Sequence, residues 1–130
     1  MTTKKIKPVD ATMGVVTDRP ELDALLAEWQ PRMKLGDWDI VAKYVPWLES
    51  RGRATIYLKS KCALIEIHEP ASWPANAFPT PTERVFLHEM GHVQLARFDI
   101  AADDPRNVHE EQIVEAYAFA LYAAKHAPRA

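Results

Sequence analysis

One short segment constrains this chain more than any other: residues 88–92 read H-E-M-G-H, an H-E-x-x-H motif. Just before it, residues 80–83 read T-P-T-E, a capping box with proline at the first helical position, which predicts that a helix begins there. Side chains four residues apart lie on one face of a helix, so His88 and His92 can reach the same ion. The motif therefore predicts a helix that presents two zinc ligands.

Glu89 has a different predicted role from the two histidines beside it. It lies about 100° around the helix from His88, so it is not positioned to share the coordination. A catalytic zinc ion lowers the pKa of its bound water to about 7, and a nearby carboxylate can accept the proton. We expect a zinc-bound water activated by Glu89, which is the chemistry of a hydrolase.

A third protein ligand is needed for a catalytic zinc site, and the candidates lie downstream. Residues 107–110, N-V-H-E, resemble a second capping box, which opens a helix that runs to about residue 126. Glu111 and Glu115 share one face of this helix, so one can bind the ion while the other holds a histidine ligand in place. His109 is an alternative ligand. Glu110 is expected to be a solvated acid near the helix amino terminus.

Composition limits the class of protein. At 130 residues the chain fits one domain, and its net charge of -2 disfavours nucleic acid as a partner. No apolar run is long enough to span a membrane and the first residues lack the apolar core of a signal peptide, so we expect a cytoplasmic protein. Cys62 is the single cysteine and excludes an internal disulfide.

Hydrophobic spacing predicts an α+β fold. Residues 1–17 are expected to form a tail or edge segment, and residues 18–130 a single domain. A helix starts near Asp18 and ends around Pro31 and Gly36. Residues 38–44, 53–58 and 62–68 are strand-like, and their short connections favour a small, mostly antiparallel meander of three or four strands. The proline-rich residues 70–81 are expected to cross irregularly to the motif helix.

The two motifs together resemble those of the gluzincins, the thermolysin-like metallopeptidases in which H-E-x-x-H is followed by a glutamate on a second helix. The segment E-Q-I-V-E-A-Y-A, residues 111–118, is similar to the E-x-x-A-N-x-F-A motif of ImmA/IrrE-type peptidases, with Val114 in place of a small residue and Glu115 in place of an amide. The resemblance implies a zincin-like fold, Glu111 as third ligand and Glu115 as its supporting carboxylate.

The resemblance implies that the protein is a zinc metallopeptidase that cleaves peptide or protein substrates. In such folds an extended substrate pairs with a sheet edge, for which residues 62–68 are the candidate strand. The L-x-x-W-x-I segment, residues 35–40, also resembles small HExxH proteins of phages and prophages. The oxyanion donor stays open among four residues: Tyr57, His68, Tyr117 and Tyr122.

Two rival assignments of the third ligand are weaker. SprT-like proteins are similar in using a distant histidine, usually followed by glycine, whereas His109 is followed by Glu110. Metzincins need a histidine six residues after His92, where this chain has Phe98.

A second function stays open: a zinc-stabilised binding or regulatory module with little or no turnover. Gly91, inside the motif helix, is expected to permit close approach of the facing helix. His68 and His126 are expected at the surface, and the tryptophans in core or crossover packing: Trp29, Trp38, Trp47 and Trp73.

Overall fold

The computed structural model of the chain describes residues 20–70, 80–96 and 104–128. This part of the chain contains three helices and three strands, which confirms the α+β class. In chain order they are α1 (Pro20–Arg32), β1 (Asp39–Val45), β2 (Gly52–Tyr57), β3 (Cys62–His68), α2 (Thr82–Leu95) and α3 (Arg106–His126). The predicted tail 1–17, the predicted helix start near Asp18 and most of the proline-rich crossover with Trp73 lie outside the described residues.

The three strands form one mixed sheet in the order β1-β3-β2, with β3 in the centre. β2 pairs antiparallel with β3, whereas β1 pairs parallel with it. The predicted mostly antiparallel meander is therefore wrong. The loop of residues 46–51 takes the chain to the far edge of the sheet, and β2 then runs back antiparallel, so β1 and β3 can be parallel without a crossover helix. β3 takes the centre because it is the most apolar strand, and most of its residues are buried.

Helix α1 packs against the sheet through Leu22, Leu25 and Trp29, all buried. It ends at Arg32, with Pro31 inside its last turn, as the sequence predicted. In the turn that follows, the left-handed residue is Lys34, at φ 62°.

Neither helix start uses its predicted capping box. Pro81 is the N-cap of α2, and no side-chain hydrogen bond caps the first turn. The Glu83 side chain points away from the start of the helix. The Glu83 carboxylate instead accepts hydrogen bonds from Trp29 Nε1 at 2.7 Å, Lys125 Nζ at 2.6 Å and His126 Nε2 at 2.8 Å, so it joins α2 to α1 and α3.

The start of α3 lies two residues earlier than expected, with Pro105 as N-cap in place of Asn107, and the backbone N–H of Arg106 donates to Asp104 Oδ1 at 2.8 Å. Asn107 is thus inside the helix and does not cap it.

Helix α3 touches α2 along a narrow stripe, in which Val114 and Ala118 are buried. A Cβ atom on Gly91 would lie 3.1 Å from Val114 Cγ1, which confirms that this glycine permits the close approach of the two helices. The rest of α3 is mostly exposed.

Two side chains lie where the sequence did not predict them. His68 was expected at the surface but is only 4% exposed, at the end of the central strand. Trp47 was expected in packing but is 67% exposed. Among the residues described, no helix is both long enough and apolar enough to cross a membrane.

Candidate metal centre

Helices α2 and α3 bring together three side chains from different parts of the sequence: His88, His92 and Glu111. One nitrogen of each imidazole and a carboxylate oxygen lie within 4.8 Å of one another, a group that could hold a metal ion. His88 Nε2 is 3.3 Å from Glu111 Oε1, and His92 Nε2 is 3.1 Å from Glu111 Oε2. Both Nε2 atoms therefore face the same carboxylate.

The opposite nitrogen of each ring has a carboxylate of its own. His88 Nδ1 lies 2.7 Å from Glu115 Oε1, and His92 Nδ1 lies 3.2 Å from Glu110 Oε2. An ionised carboxylate only accepts hydrogen bonds, so each Nδ1 can donate to its own carboxylate, and in that tautomer the lone pair of Nε2 is available to bind an ion beside Glu111. The two rings are thus oriented independently, by two residues of α3.

Glu110 is a functional candidate that the sequence interpretation missed, since it was taken as a solvated acid. Its side chain is only 14% exposed. The spacing of these acids along the sequence could have indicated this role. In an antiparallel helix pair, acids five residues apart, Glu110 and Glu115, can each meet one of two histidines four residues apart.

Glu89 lies on a different side of α2 from His88 and His92, in a tight space beneath β2. It is 7% exposed, and a Cβ atom on Gly52 would lie 2.9 Å from Glu89 Oε2. Burial raises the pKa of Glu89 to about 7; the charge of His92 lowers it, and those of Glu111 and Glu115 raise it. A side chain at position 52 would force this carboxylate or the strand to shift. The sequence did not indicate this role, since it placed residue 52 in a connection between two predicted strands.

A cleft of about 800 Å³ opens beside this group, between α2, α3 and the sheet edge. The strand that lines it is β2, through residues that include Gly52, Ala54 and Ile56. Residues 62–68, predicted to be the substrate-binding edge, form the central strand β3, so that prediction is wrong.

The remaining sequence candidates lie away from this cleft. His109 is exposed and does not belong to the group formed by the two motif histidines and Glu111. The four residues considered as oxyanion donors, Tyr57, His68, Tyr117 and Tyr122, are not among the cleft-lining residues. The cations that line it are instead arginines: Arg51, Arg53 and Arg84.

Comparison of the chain with protein-family models, with curated proteins and with solved structures finds no match. The resemblance to gluzincins therefore depends on the motif residues alone.

Proposed function

We propose that this protein is a zinc-dependent peptidase in which His88, His92 and Glu111 hold the metal. The observation that carries the proposal is the convergence of both Nε2 atoms on Glu111 while Glu110 and Glu115 occupy the Nδ1 positions. Zinc-binding histidines commonly donate their second N–H to a carboxylate, which fixes the tautomer.

The spacing of the donor atoms supports zinc. Ligand atoms bound tetrahedrally at about 2.0–2.1 Å lie about 3.3 Å apart. The two histidine-to-Glu111 distances, 3.3 Å to Oε1 and 3.1 Å to Oε2, are of this size, and the three donor atoms that would share one ion lie within 4.8 Å of one another. Three protein donors leave one position for water or substrate, which is the arrangement of catalytic zinc sites.

A zinc ion held by these residues supplies Lewis acidity, which polarises a carbonyl group and makes water more acidic. Glu89 then acts as the base. Its carboxylate is adjacent to His88 in the sequence and lines the cleft, so it can accept a proton from water and pass it to a leaving amine.

An extended peptide is the substrate class that the surroundings favour. Within the described sheet, β2 pairs with β3 on one side only, and its other edge borders the cleft. A peptide can add to such an edge through main-chain hydrogen bonds, which depend little on sequence. We therefore assign β2 the role that the sequence suggested for residues 62–68.

Elemental analysis of the purified protein and degradation of unfolded casein test the proposal together. We expect one zinc ion per chain and hydrolysis in the wild type, loss of zinc in Glu111→Ala, and normal zinc in His109→Ala, the matched control. Glu89→Gln should keep the metal and lose hydrolysis.

Zinc binding without hydrolysis in the wild type would instead favour the alternative function, a zinc-stabilised binding or regulatory module. Absence of zinc after reconstitution would refute both functions.

A further inference from the structure

The Glu115 carboxylate is shared between two side chains of α2, through different oxygen atoms. His88 Nδ1 lies 2.7 Å from Glu115 Oε1, and Arg84 Nη2 donates a hydrogen bond to Glu115 Oε2 at 3.4 Å. Arg84 and His88 are four residues apart, so they lie on one face of α2, one turn from each other. The arginine and the histidine therefore contact the same acid from adjacent turns of the motif helix.

The two carboxylates that contact the Nδ1 atoms of the motif histidines differ in how they are held. The Glu110 side chain is only 14% exposed, so the residues around it limit its movement. The Glu115 side chain is 53% exposed. A half-exposed glutamate retains much of its rotamer freedom and can turn toward water. Glu115 therefore needs a further contact to stay against His88, and the hydrogen bond from Arg84 supplies it.

Arg84 can hold a carboxylate because its own guanidinium group is held. Its Nε atom is buried, and its guanidinium carbon lies 5.2 Å from the centre of the Phe119 ring. Phe119 follows Glu115 by one turn of α3, so the ring and the acid lie on the same face of that helix. A planar guanidinium already placed over an aromatic ring loses little further freedom when it binds a carboxylate. An exposed ion pair stabilises a fold only weakly, so the main effect of this contact is on the position of Glu115.

The position of Glu115 matters because His88 has a second possible acceptor. His88 Nε2 lies 3.3 Å from Glu111 Oε1, a longer contact than the one between Nδ1 and Glu115. A neutral imidazole carries one N–H. With the proton on Nδ1, the lone pair of Nε2 is available to a metal ion. With the proton on Nε2, the ring donates to Glu111, and this nitrogen cannot bind an ion. Metal binding by His88 thus depends on which of the two glutamates accepts its N–H.

We propose that Arg84 is a positioning residue of the metal centre: it holds Glu115 in place to accept the Nδ1–H of His88, which leaves His88 Nε2 available to the ion. This inference rests on the metal site of the proposed function and adds to it a residue that acts through Glu115. The Nδ1 atom of His92 lies against Glu110 instead, so the effect of Arg84 is confined to His88.

The tautomer of His88 in the metal-free protein tests the proposal without zinc. Two-bond proton–nitrogen correlation spectra distinguish an Nδ1–H imidazole from an Nε2–H imidazole and are recorded at a pH where both rings are neutral. We expect His88 to be mainly Nδ1–H in the wild type and to shift toward Nε2–H in Arg84→Gln and in Glu115→Gln, with His92 unchanged. Arg106→Gln is the matched control, because Arg106 pairs with Asp104 outside the cleft.

Zinc affinity, measured by competition with a chromophoric chelator, gives a second readout. Glu115→Gln should raise the zinc Kd about 10–100-fold, and Arg84→Gln should raise it less, by about three- to ten-fold, because Glu115 remains but is no longer held in place. In the double variant Arg84→Gln with Glu115→Gln, the Kd should equal that of Glu115→Gln alone. In Arg84→Gln with Glu110→Gln, the two factors should multiply, since they act on different histidines.

Arg84→Lys separates the position of the cation from its charge, and it replaces Arg84→Gln if that variant does not fold. Lysine keeps the charge but lacks the planar group that lies over Phe119. We expect the zinc Kd and the His88 tautomer ratio of Arg84→Lys to lie between those of the wild type and Arg84→Gln.

An unchanged His88 tautomer in Arg84→Gln would overturn the inference. So would a factor for Arg84→Gln on the zinc Kd that is the same with and without Glu115→Gln, because Arg84 would then act independently of Glu115. The expected tautomer shift in a protein that binds no zinc would support the role of Arg84 and contradict the proposed function.

Discussion

Glu110 Oε2 lies 3.2 Å from His92 Nδ1, on the side of the ring opposite the nitrogen that faces Glu111. This contact gives His92 the same arrangement that Glu115 gives His88, although the two acids lie on different turns of α3. Neighbouring residues on one helix, Glu110 and Glu111, therefore contact the two nitrogens of a single imidazole.

Replacing Glu110 should weaken metal binding without removing a ligand. Loss of a carboxylate that orients a zinc-binding histidine costs about 10–100-fold in metal affinity. We expect Glu110→Gln to raise the zinc Kd by this factor, measured by competition with a chromophoric chelator. Glu49→Gln, at an exposed residue outside the cleft, is the control. An unchanged Kd in Glu110→Gln would show that the His92 contact does not contribute to metal binding.

Gly52→Ala should impair catalysis more than metal binding. The added Cβ would lie 2.9 Å from both Glu89 Oε2 and Val85 Cγ1, so the base must move or β2 must shift away from α2. We expect a reduced kcat/KM with near-normal zinc content, because the metal ligands lie elsewhere. Gly36→Ala is the matched control, since a Cβ there meets nothing within 4 Å. Equal activity of the two alanine variants would argue against a role for this close approach.

Gly91→Ala should destabilise the protein even though alanine favours helices by about 1 kcal/mol over glycine. The new Cβ would lie 3.1 Å from Val114 Cγ1, and Val114 is buried and stiff at χ1. Urea unfolding should give a lower midpoint for the single variant. In the double variant Gly91→Ala with Val114→Ala, the loss of stability should be smaller than the sum of the losses in the two single variants. A loss equal to that sum would exclude a steric origin.

Glu83→Gln should lower stability and flatten its dependence on acid pH. Burial acts to raise the pKa of Glu83, but hydrogen bonds from Lys125, His126 and Trp29 outweigh it and hold the pKa below its usual value. A carboxyl with a lowered folded-state pKa contributes stability above its unfolded pKa, and this contribution is lost as pH falls. The urea midpoint of the wild type should therefore exceed that of Glu83→Gln at neutral pH, and the two midpoints should become equal at low pH. A constant difference would contradict the assigned ionisation.

The motif helix and the pair of acids on α3 depend on short spacings along single helices, and the resemblance to gluzincins singled out Glu111, so the sequence predicted the grouping that the structure brings together. The order of the strands could not be predicted from such spacings. The loop between β1 and β2 allows β2 to lie either next to β1 or at the far edge of the sheet. The roles of Gly52 and Glu83 depend on neighbours distant in the sequence, Glu89 and Lys125. Local patterns placed Gly52 in a connection between strands and Glu83 in a helix cap.

The narrow contact between α3 and the rest of the fold has a kinetic consequence. Only Val114 and Ala118 of α3 are fully buried, Leu121 and Tyr122 pack against the core while partly exposed, and its polar contacts concentrate at Glu110, Glu115 and Lys125. Elements with few buried contacts open at low free energy while the remainder stays folded. A metal ion in the proposed site is shared by α2 and α3, so each detachment of α3 removes Glu111 and both supporting carboxylates at once. The residence time of the ion is then governed by the opening rate of one helix, and hydrogen exchange along α3 should slow when zinc is present.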